Sequence, residues 1–458
     1  MDALRRRARR GVAAALVACV VLAGCTSGTD PDASSSPSPS PTATESGPEP
    51  TTGDPATLRL AVYGDAAVRR AWDELAEAFT NANPDIAVEV EHSRTEERAG
   101  EKVQAQFAAD DAPDVFVASN AQVAGLAAAD QVQPVDQLLE QRGIEFGDSY
   151  QRLGLEAFSA EQALQCMPYD VSPLVVFYHP GLIPFRRLIE PDEERITPET
   201  GWTWDQFARA ARLVSGEGVK GAYIEPTLTS LMALVRSAGD DVVDDPRDAT
   251  TLTLADDGTR AALEEILSVV RDKRVTPTPA QLERRDAFTR FTREEIGMLV
   301  GTKELVPRLN EHEGLDYDVF PLPRLARDVT VADVRAMCLS ADTEQAEAAA
   351  DLIAFASMGD GAAILAESGA VVPAHLPTLN SLAFTQPGGR PNSVLVFDNA
   401  VRRATTTPFV TAWPRVERAV DPEVEKMFYD PVLNLDTMLP RIDARSQRIM
   451  APVAEPEP

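Results

Sequence analysis

Residues 57–91 read TLRLAVYGDAAVRRAWDELAEAFTNANPDIAVEVE. Leu58, Leu60 and Val62 alternate with polar or small neighbours, which is the period of a half-buried strand. Gly64-Asp65 breaks that period. Val68, Trp72, Leu75 and Phe79 then recur three or four residues apart and form one face of a helix, which Asn83-Pro84 stops. Ile86, Val88 and Val90 restore the alternation. A polar helix carrying Val103 and Phe107 follows, and Pro113-Asp114 leads into the apolar run Val115–Ala118. Strand, helix, strand, helix, strand is the signature of a parallel sheet covered by helices on both faces.

A second alternating stretch begins near Pro173, with the β-rich run Leu174–Tyr178. Thr203 and Gln206 have the spacing of a capping box, and Trp202 and Phe207 that of its hydrophobic staple. Gly221–Ile224 and Met298–Val300 are further strands. Leu263, Ile266, Leu267 and Val270 mark a helix face, and Thr343 is placed to cap a helix running through Ala346, Ala350 and Ile353. The C-terminal region carries two more stripes. One is Trp413, Val416, Val420, Val424 and Phe428; the other is Leu435, Met438, Leu439 and Ile442. The fold class expected is α/β, with two doubly wound lobes.

Composition limits what such lobes do. The chain has 458 residues, 43 Lys+Arg against 72 Asp+Glu, and a formal net charge of −29. That field repels phosphate backbones and anionic lipid, so neither nucleic acid nor a polybasic membrane contact is expected. The acidity is assigned to the surface, and no cation capture is read from it. Arg5, Arg6, Arg7, Arg9 and Arg10 precede an uncharged stretch, Gly11–Gly24, too short to span a bilayer, so residues 1–24 read as an export signal. It ends in Leu22-Ala23-Gly24-Cys25, a lipobox in which Cys25 takes the lipid. Residues 25–56 combine that cysteine with a Ser/Pro/Thr-rich tether too polar to bury a core, and 451–458 form a flexible tail. The expected location is the extracytoplasmic face of the cell membrane. In the exported body Cys166 and Cys338 form an even pair, which permits a disulfide or two buried thiols.

Several phrases, in order, resemble the extracellular solute-binding proteins of ABC importers, family 1, the carbohydrate-binding, maltose-binding-protein-like group. They are Asn83-Pro84-Asp85-Ile86-Ala87-Val88, the stretch DDAPDVFVASNAQVAGLAAADQVQPVDQLL, the hinge-like CMPYDVSPLVVFYHPGLI, GWTWDQFARAARLV, the alanine-rich MCLSADTEQAEAAADLIAFAS, ESGAVVPAHL, and the helical C-terminus from Phe409 to Met450. The chain departs from the pattern at Asp130 (glycine in the family), Val135 (leucine) and His179 (asparagine). The resemblance implies a periplasmic-binding-protein type II-like fold, with hinge strands joining an N-lobe (57–168 and 339–372) to a C-lobe (172–337 and 373–450). It also implies that Cys166 and Cys338 lie on neighbouring hinge strands and are bonded.

The implied function is capture of a small solute, a sugar or oligosaccharide, by hinge closure and its delivery to a membrane ABC permease. The protein would act as a monomer, without catalysis, metal or cofactor. Strand ends supply the expected ligand contacts: Tyr63, Gly64, Asp65, Ser119, Asn120, Asp170, Tyr223, Glu225, Gly301 and Thr302, with Trp413 for stacking on a sugar face. Thr302 and Lys303 stand where many sugar binders carry a tryptophan, which weakens the sugar assignment; Lys303 reads as solvated, with an acidic ligand as the alternative. Competing functions are a lipid-anchored, glycoside-acting envelope enzyme and a ligand sensor without transport. The acidic pairs Asp240-Asp241 and Asp244-Asp245 do not favour the enzyme, because adjacent acids point to different sides.

Overall fold

The computed structural model describes residues 56–189, 195–216 and 218–451. The export signal, Cys25, nearly all of the tether and residues 452–458 lie outside them. The first strand, β1 (Ala56–Tyr63), buries Leu58, Leu60 and Val62 as their alternation requires. Helix α1 (Ala66–Ala82) starts where Asp65 accepts hydrogen bonds from the Ala67 and Val68 amides, and it buries Val68, Trp72, Leu75 and Phe79. Strand β2 (Ile86–Ser93), helix α2 (Glu96–Phe107) and strand β3 (Val115–Ser119) follow in the expected order. β1 runs parallel to both β2 and β3. The remaining strands before the crossing are β4 (Val132–Gln133), after helix α3 (Asn120–Ala128), and the small hairpin of β5 (Ser159–Ala160) and β6 (Ala163–Leu164).

The chain passes from one sheet to the other between β7 (Cys166–Pro173) and β8 (Val175–Tyr178). The second lobe is built from helix α4 (Trp204–Val214), β9 (Lys220–Tyr223), α5 (Leu228–Ala238), α6 (Asp257–Val270), β10 (Ile296–Gly301) and β11 (Asp318–Pro321). At the start of α4, Thr203 and Gln206 form the expected capping box, and the rings of Trp202 and Phe207 meet edge to face at 5.4 Å. The chain returns through β12 (Thr330–Ser340), helices α7 (Ala346–Ser357) and α8 (Gly359–Glu367), and β13 (Ala404–Thr405), and ends in α9 (Trp413–Tyr429) and α10 (Leu435–Met450).

The larger sheet has the order β13-β12-β3-β1-β2, with β4 and β7 also paired to β12; the smaller has the order β11-β8-β10-β9. β12 is antiparallel to β3 and β7, so the return strand closes a sheet whose other half is parallel. Two cores result. One fills the first lobe and reaches the face of β8 and β10 that carries Phe177 and Leu299. The other packs α4, α5, α6, α9 and α10 on the opposite face, around Val176, Met298 and Trp413. Cys166 and Cys338 face each other across β7 and β12 and form a disulfide, with Cα atoms 4.4 Å apart. Thr343 does not cap α7 directly; its hydroxyl accepts from the Gln345 amide at 3.1 Å and also bonds Asp114.

Candidate functional site

The C-terminal ends of β3 and β9 face each other across a cavity of about 1060 Å³. Its first-lobe wall comes from α2 (Glu96, Glu97, Glu101), β3 (Phe116, Val117, Ala118) and α3 (Ala121, Gln122). Its second-lobe wall comes from Glu225, just after β9, and from Pro414, Glu417, Arg418 and Asp421 on α9. A neighbouring cavity of about 320 Å³ lies at the ends of β1 and β2, lined by Tyr63, Gly64, Asp65, Arg94, Glu304, Asp333 and Arg335. Glu96 lines both, so the two form one groove along the strand ends.

Local structure fixes each wall. Thr95 caps α2 and places Glu96 and Glu97 in its first turn, where carboxylates also suit the helix dipole. The Ser119 hydroxyl donates to Glu96 at 2.5 Å and ties the end of β3 to α2. On α9, Glu417 and Asp421 are four residues apart and share a face. Asp421 accepts from the Leu228 amide at 2.8 Å, and Glu417 accepts from the Thr229 hydroxyl at 3.0 Å, so both sit at the N-terminus of α5. The carboxyl of Glu96 is pushed up to about 7, first by burial and then by Asp333. Glu417 is likewise pushed up to about 7 by burial, with Asp421 and Glu96 adding to it. The surrounding groove walls, reinforced by Asp421, also raise Glu225, although its side chain keeps contact with solvent.

At the base of the groove Arg335 is buried on β12, where the pairing with β7 shifts register between Arg335 and Ala336. Such a bulge re-aims a side chain. The guanidinium pairs with Glu304, with Asp333 at 2.7 Å and with Asp170 at 3.8 Å, and lies 5.6 Å from the Tyr63 ring. Burial disfavours its charge, but Glu304, Asp333, Tyr63 and Asp170 outweigh that cost.

The residues expected at the ligand divide into two sets. Tyr63, Gly64 and Asp65 line the smaller cavity, and Glu225 lines the larger. Ser119 reaches the groove only through Glu96. Asn120 is buried and donates to Thr407 Oγ1 at 3.0 Å, so it fastens α3 to the C-terminal segment and faces no ligand. Asp170 is fully buried: its Oδ1 accepts from the Ser172 hydroxyl and the Val372 amide, both at 2.8 Å, which makes it a hinge tie. Trp413 offers no face to a sugar, because its ring is completely buried in the second-lobe core; Glu417 and Asp421, along the edge of its stripe, line the groove in its place. Tyr223 packs partly buried against the first core, and Gly301 with Thr302 forms the turn into Leu305–Asn310. A Cβ on Gly301 would come within 2.5 Å of Leu305 Cδ1, so the glycine serves that turn. Lys303 is not solvated. It is 2% exposed, its Nζ donates to the Gly369 carbonyl at 2.5 Å, and it lies 5.1 Å from the Phe384 ring centre.

Sequence reasoning missed Glu96, Glu97, Glu417, Asp421, Glu304 and Arg335. The available signal was the pair Glu417 and Asp421, four residues apart along the edge of an otherwise apolar stripe. Among the described residues no group of three His, Cys, Asp or Glu side chains is arranged to hold a metal ion.

The geometry matches known folds closely. An ABC substrate-binding protein from Listeria monocytogenes in complex with cycloalternan aligns with a TM-score of 0.76 at 20% identity, covering 87% of this chain and 99% of that one. The sugar-binding protein MalE of Xanthomonas citri gives 0.74 at 17% identity, covering 86% and 98%. The GacH receptor of Streptomyces glaucescens, solved unliganded and with acarbose, gives 0.73 at 16%, also covering 86% and 98%. No curated protein matches the sequence. The profile of the family described as bacterial extracellular solute-binding protein matches residues 74–385, most of the folded body. The fold is the two-lobe, type II periplasmic-binding architecture, and the chain belongs to the bacterial extracellular solute-binding proteins.

Proposed function

We propose that this chain is a lipid-anchored extracytoplasmic receptor that captures a sugar or oligosaccharide between its lobes and hands it to an ABC permease. In this reading Cys25 carries the lipid, residues 26–56 are the tether, and the protein acts as a monomer without catalysis. The lobes are 57–168 with 339–372 and 172–337 with 373–450, moving about the strands that join them. The observation that carries the proposal is the cavity of about 1060 Å³ walled by strand ends and helices of both lobes. It lies just above the range of about 300–1,000 Å³ usual for ligand sites, which suits an oligosaccharide better than a single ring. The structural neighbours solved with cycloalternan and acarbose support the same class of solute. Closure of such lobes buries the solute and creates the surface a permease reads.

The test is a thermal-shift screen against mono- and oligosaccharides, polyols and amino acids. A solute present at about 100 times its Kd adds about 2.7 kcal/mol of stability, a clear rise in Tm. A response confined to carbohydrates supports the proposal; a response confined to amino acids, or hydrolysis of the sugars during the screen, sinks it.

A further inference from the structure

The groove carries a charge pattern that capture of a neutral sugar does not need. Glu96, Glu97 and Glu101 line it from the first lobe, and Glu225, Glu417 and Asp421 from the second. Arg418 is the one cation among the described residues lining this larger cavity, while Arg94, Arg308 and Arg335 line the smaller one beside it. The like charges are not paired off locally. Glu417 is bonded by a neutral hydroxyl, Asp421 by a backbone amide and Glu96 by the Ser119 hydroxyl. Glu96 lies close enough across the groove to raise the proton affinity of Glu417. Carboxylates held together and withdrawn from water favour any ligand that brings compensating positive charge. Among the described residues Phe116 is the only aromatic side chain lining this cavity, and it is 1% exposed with its ring turned edge to face onto Phe107 at 5.8 Å. Stacking on a sugar face is therefore not what this cavity provides.

An independent observation points to a hydroxylated ligand. Tyr63 lines the adjoining cavity, is 4% exposed, and its hydroxyl has no hydrogen-bond partner. A buried hydroxyl left unpaired costs on the order of 1–3 kcal/mol, and a ligand hydroxyl placed in that cavity removes the cost.

We infer that the solute is a cationic carbohydrate, an amino sugar or short amino-sugar oligomer, whose ammonium groups lie among Glu96, Glu417 and Asp421 while a ring hydroxyl bonds Tyr63. This rests on the solute-capture reading and narrows its substrate class. Two exposed carboxylates, Glu97 and Glu225, add long-range attraction at the mouth of the groove.

The experiment is isothermal titration of the purified full chain with glucosamine dimer and trimer, their N-acetylated counterparts, neutral glucose oligomers and spermidine. The amine oligomers are expected to bind at least about tenfold more tightly than the N-acetylated ones, and to weaken by about tenfold between about 20 mM and about 500 mM salt. Glu417→Gln removes the central charge. The exposed pair Glu97→Gln and Glu225→Gln keeps the test independent of folding and should weaken amine binding alone. Tyr63→Phe should weaken every carbohydrate that binds. Equal or tighter binding of the acetylated or neutral oligomers overturns the cationic assignment and leaves sugar capture standing. Binding of spermidine without any amino sugar overturns the carbohydrate assignment, and the sugar-capture reading with it. Silence from all of these sugars and amines overturns the inference, while a different carbohydrate found in the thermal screen would still uphold capture.

Discussion

Lys303 shows how far a single residue's role depends on what folds over it. A lysine beside a strand end reads as solvated, yet Gly369 and Phe384, both more than 60 residues away in the chain, close over its ammonium. Burial drives its pKa down from 10.5 to about 7, with the Asp170 charge opposing the change. Between those values the folded chain binds fewer protons than the unfolded chain, so the stability contributed by this group rises with pH across that window. Below about 7 a charged ammonium must be kept out of water at full cost. Lys303→Met is therefore expected to stabilise the fold at about pH 6 by about 1 kcal/mol or more, read as a higher Tm, since each pKa unit is worth about 1.4 kcal/mol. The gain should shrink steadily as pH approaches 10. A gain equal at both ends, or a loss at pH 6, would show that the bond to Gly369 matters more than the charge. Glu96 was missed for the mirror-image reason: in sequence it belongs to a polar helix start, and only the approach of α9 turns that solvent face into a wall.

At the scale of elements the sequence was more readable, because periodicity is internal to an element. α9 buries Trp413, Val416, Val420, Val424 and Phe428, the stripe that its spacing predicts. Glu417 and Asp421 fall along the edge of that same stripe and are half-buried, but the spacing does not say which groove that edge will line. Trp413, expected to stack on a sugar, belongs to that stripe and is committed by it to the core. The packing of α4 on β9 offers a sharper test. A Cβ built on Gly221 would lie 2.1 Å from the Ala211 carbonyl oxygen, a backbone atom that cannot swing aside. Gly221→Ala should push α4 off the sheet and cost about 2 kcal/mol, within the usual range of about 1–3 kcal/mol for overpacking. Urea unfolding of the variant checks this; a midpoint unchanged from the parent would mean the helix and strand do not approach so closely.

Over the whole molecule, the proposed capture requires two lobes to move about a base that does not. The disulfide joins β7 to β12 beneath the groove, and the Arg335, Asp170 and Asp333 cluster sits on the same two strands. The tie from Asp170 to the Val372 amide adds a third segment to this base. None of these fasteners bridges the groove itself, whose facing walls are α2 and β3 on one side and α9 on the other. The pairing of the cysteines was legible only through the order of phrases along the chain, since a separation of 172 residues carries no geometric information by itself. Because it closes so long a loop, the bond constrains the unfolded chain strongly, and its removal is expected to cost about 2–5 kcal/mol. The base should nevertheless keep its pivot through hydrogen bonding of β7 to β12 and through Arg335. Replacing Cys166 and Cys338 together by alanine is thus expected to lower the guanidinium midpoint while leaving solute affinity within about threefold, less than about 0.7 kcal/mol. Small-angle scattering with and without solute completes the test, because the decrease in radius of gyration on binding should match that of the parent. A variant that loses closure while remaining folded would show that the covalent bond, and not the strand pair, sets the hinge.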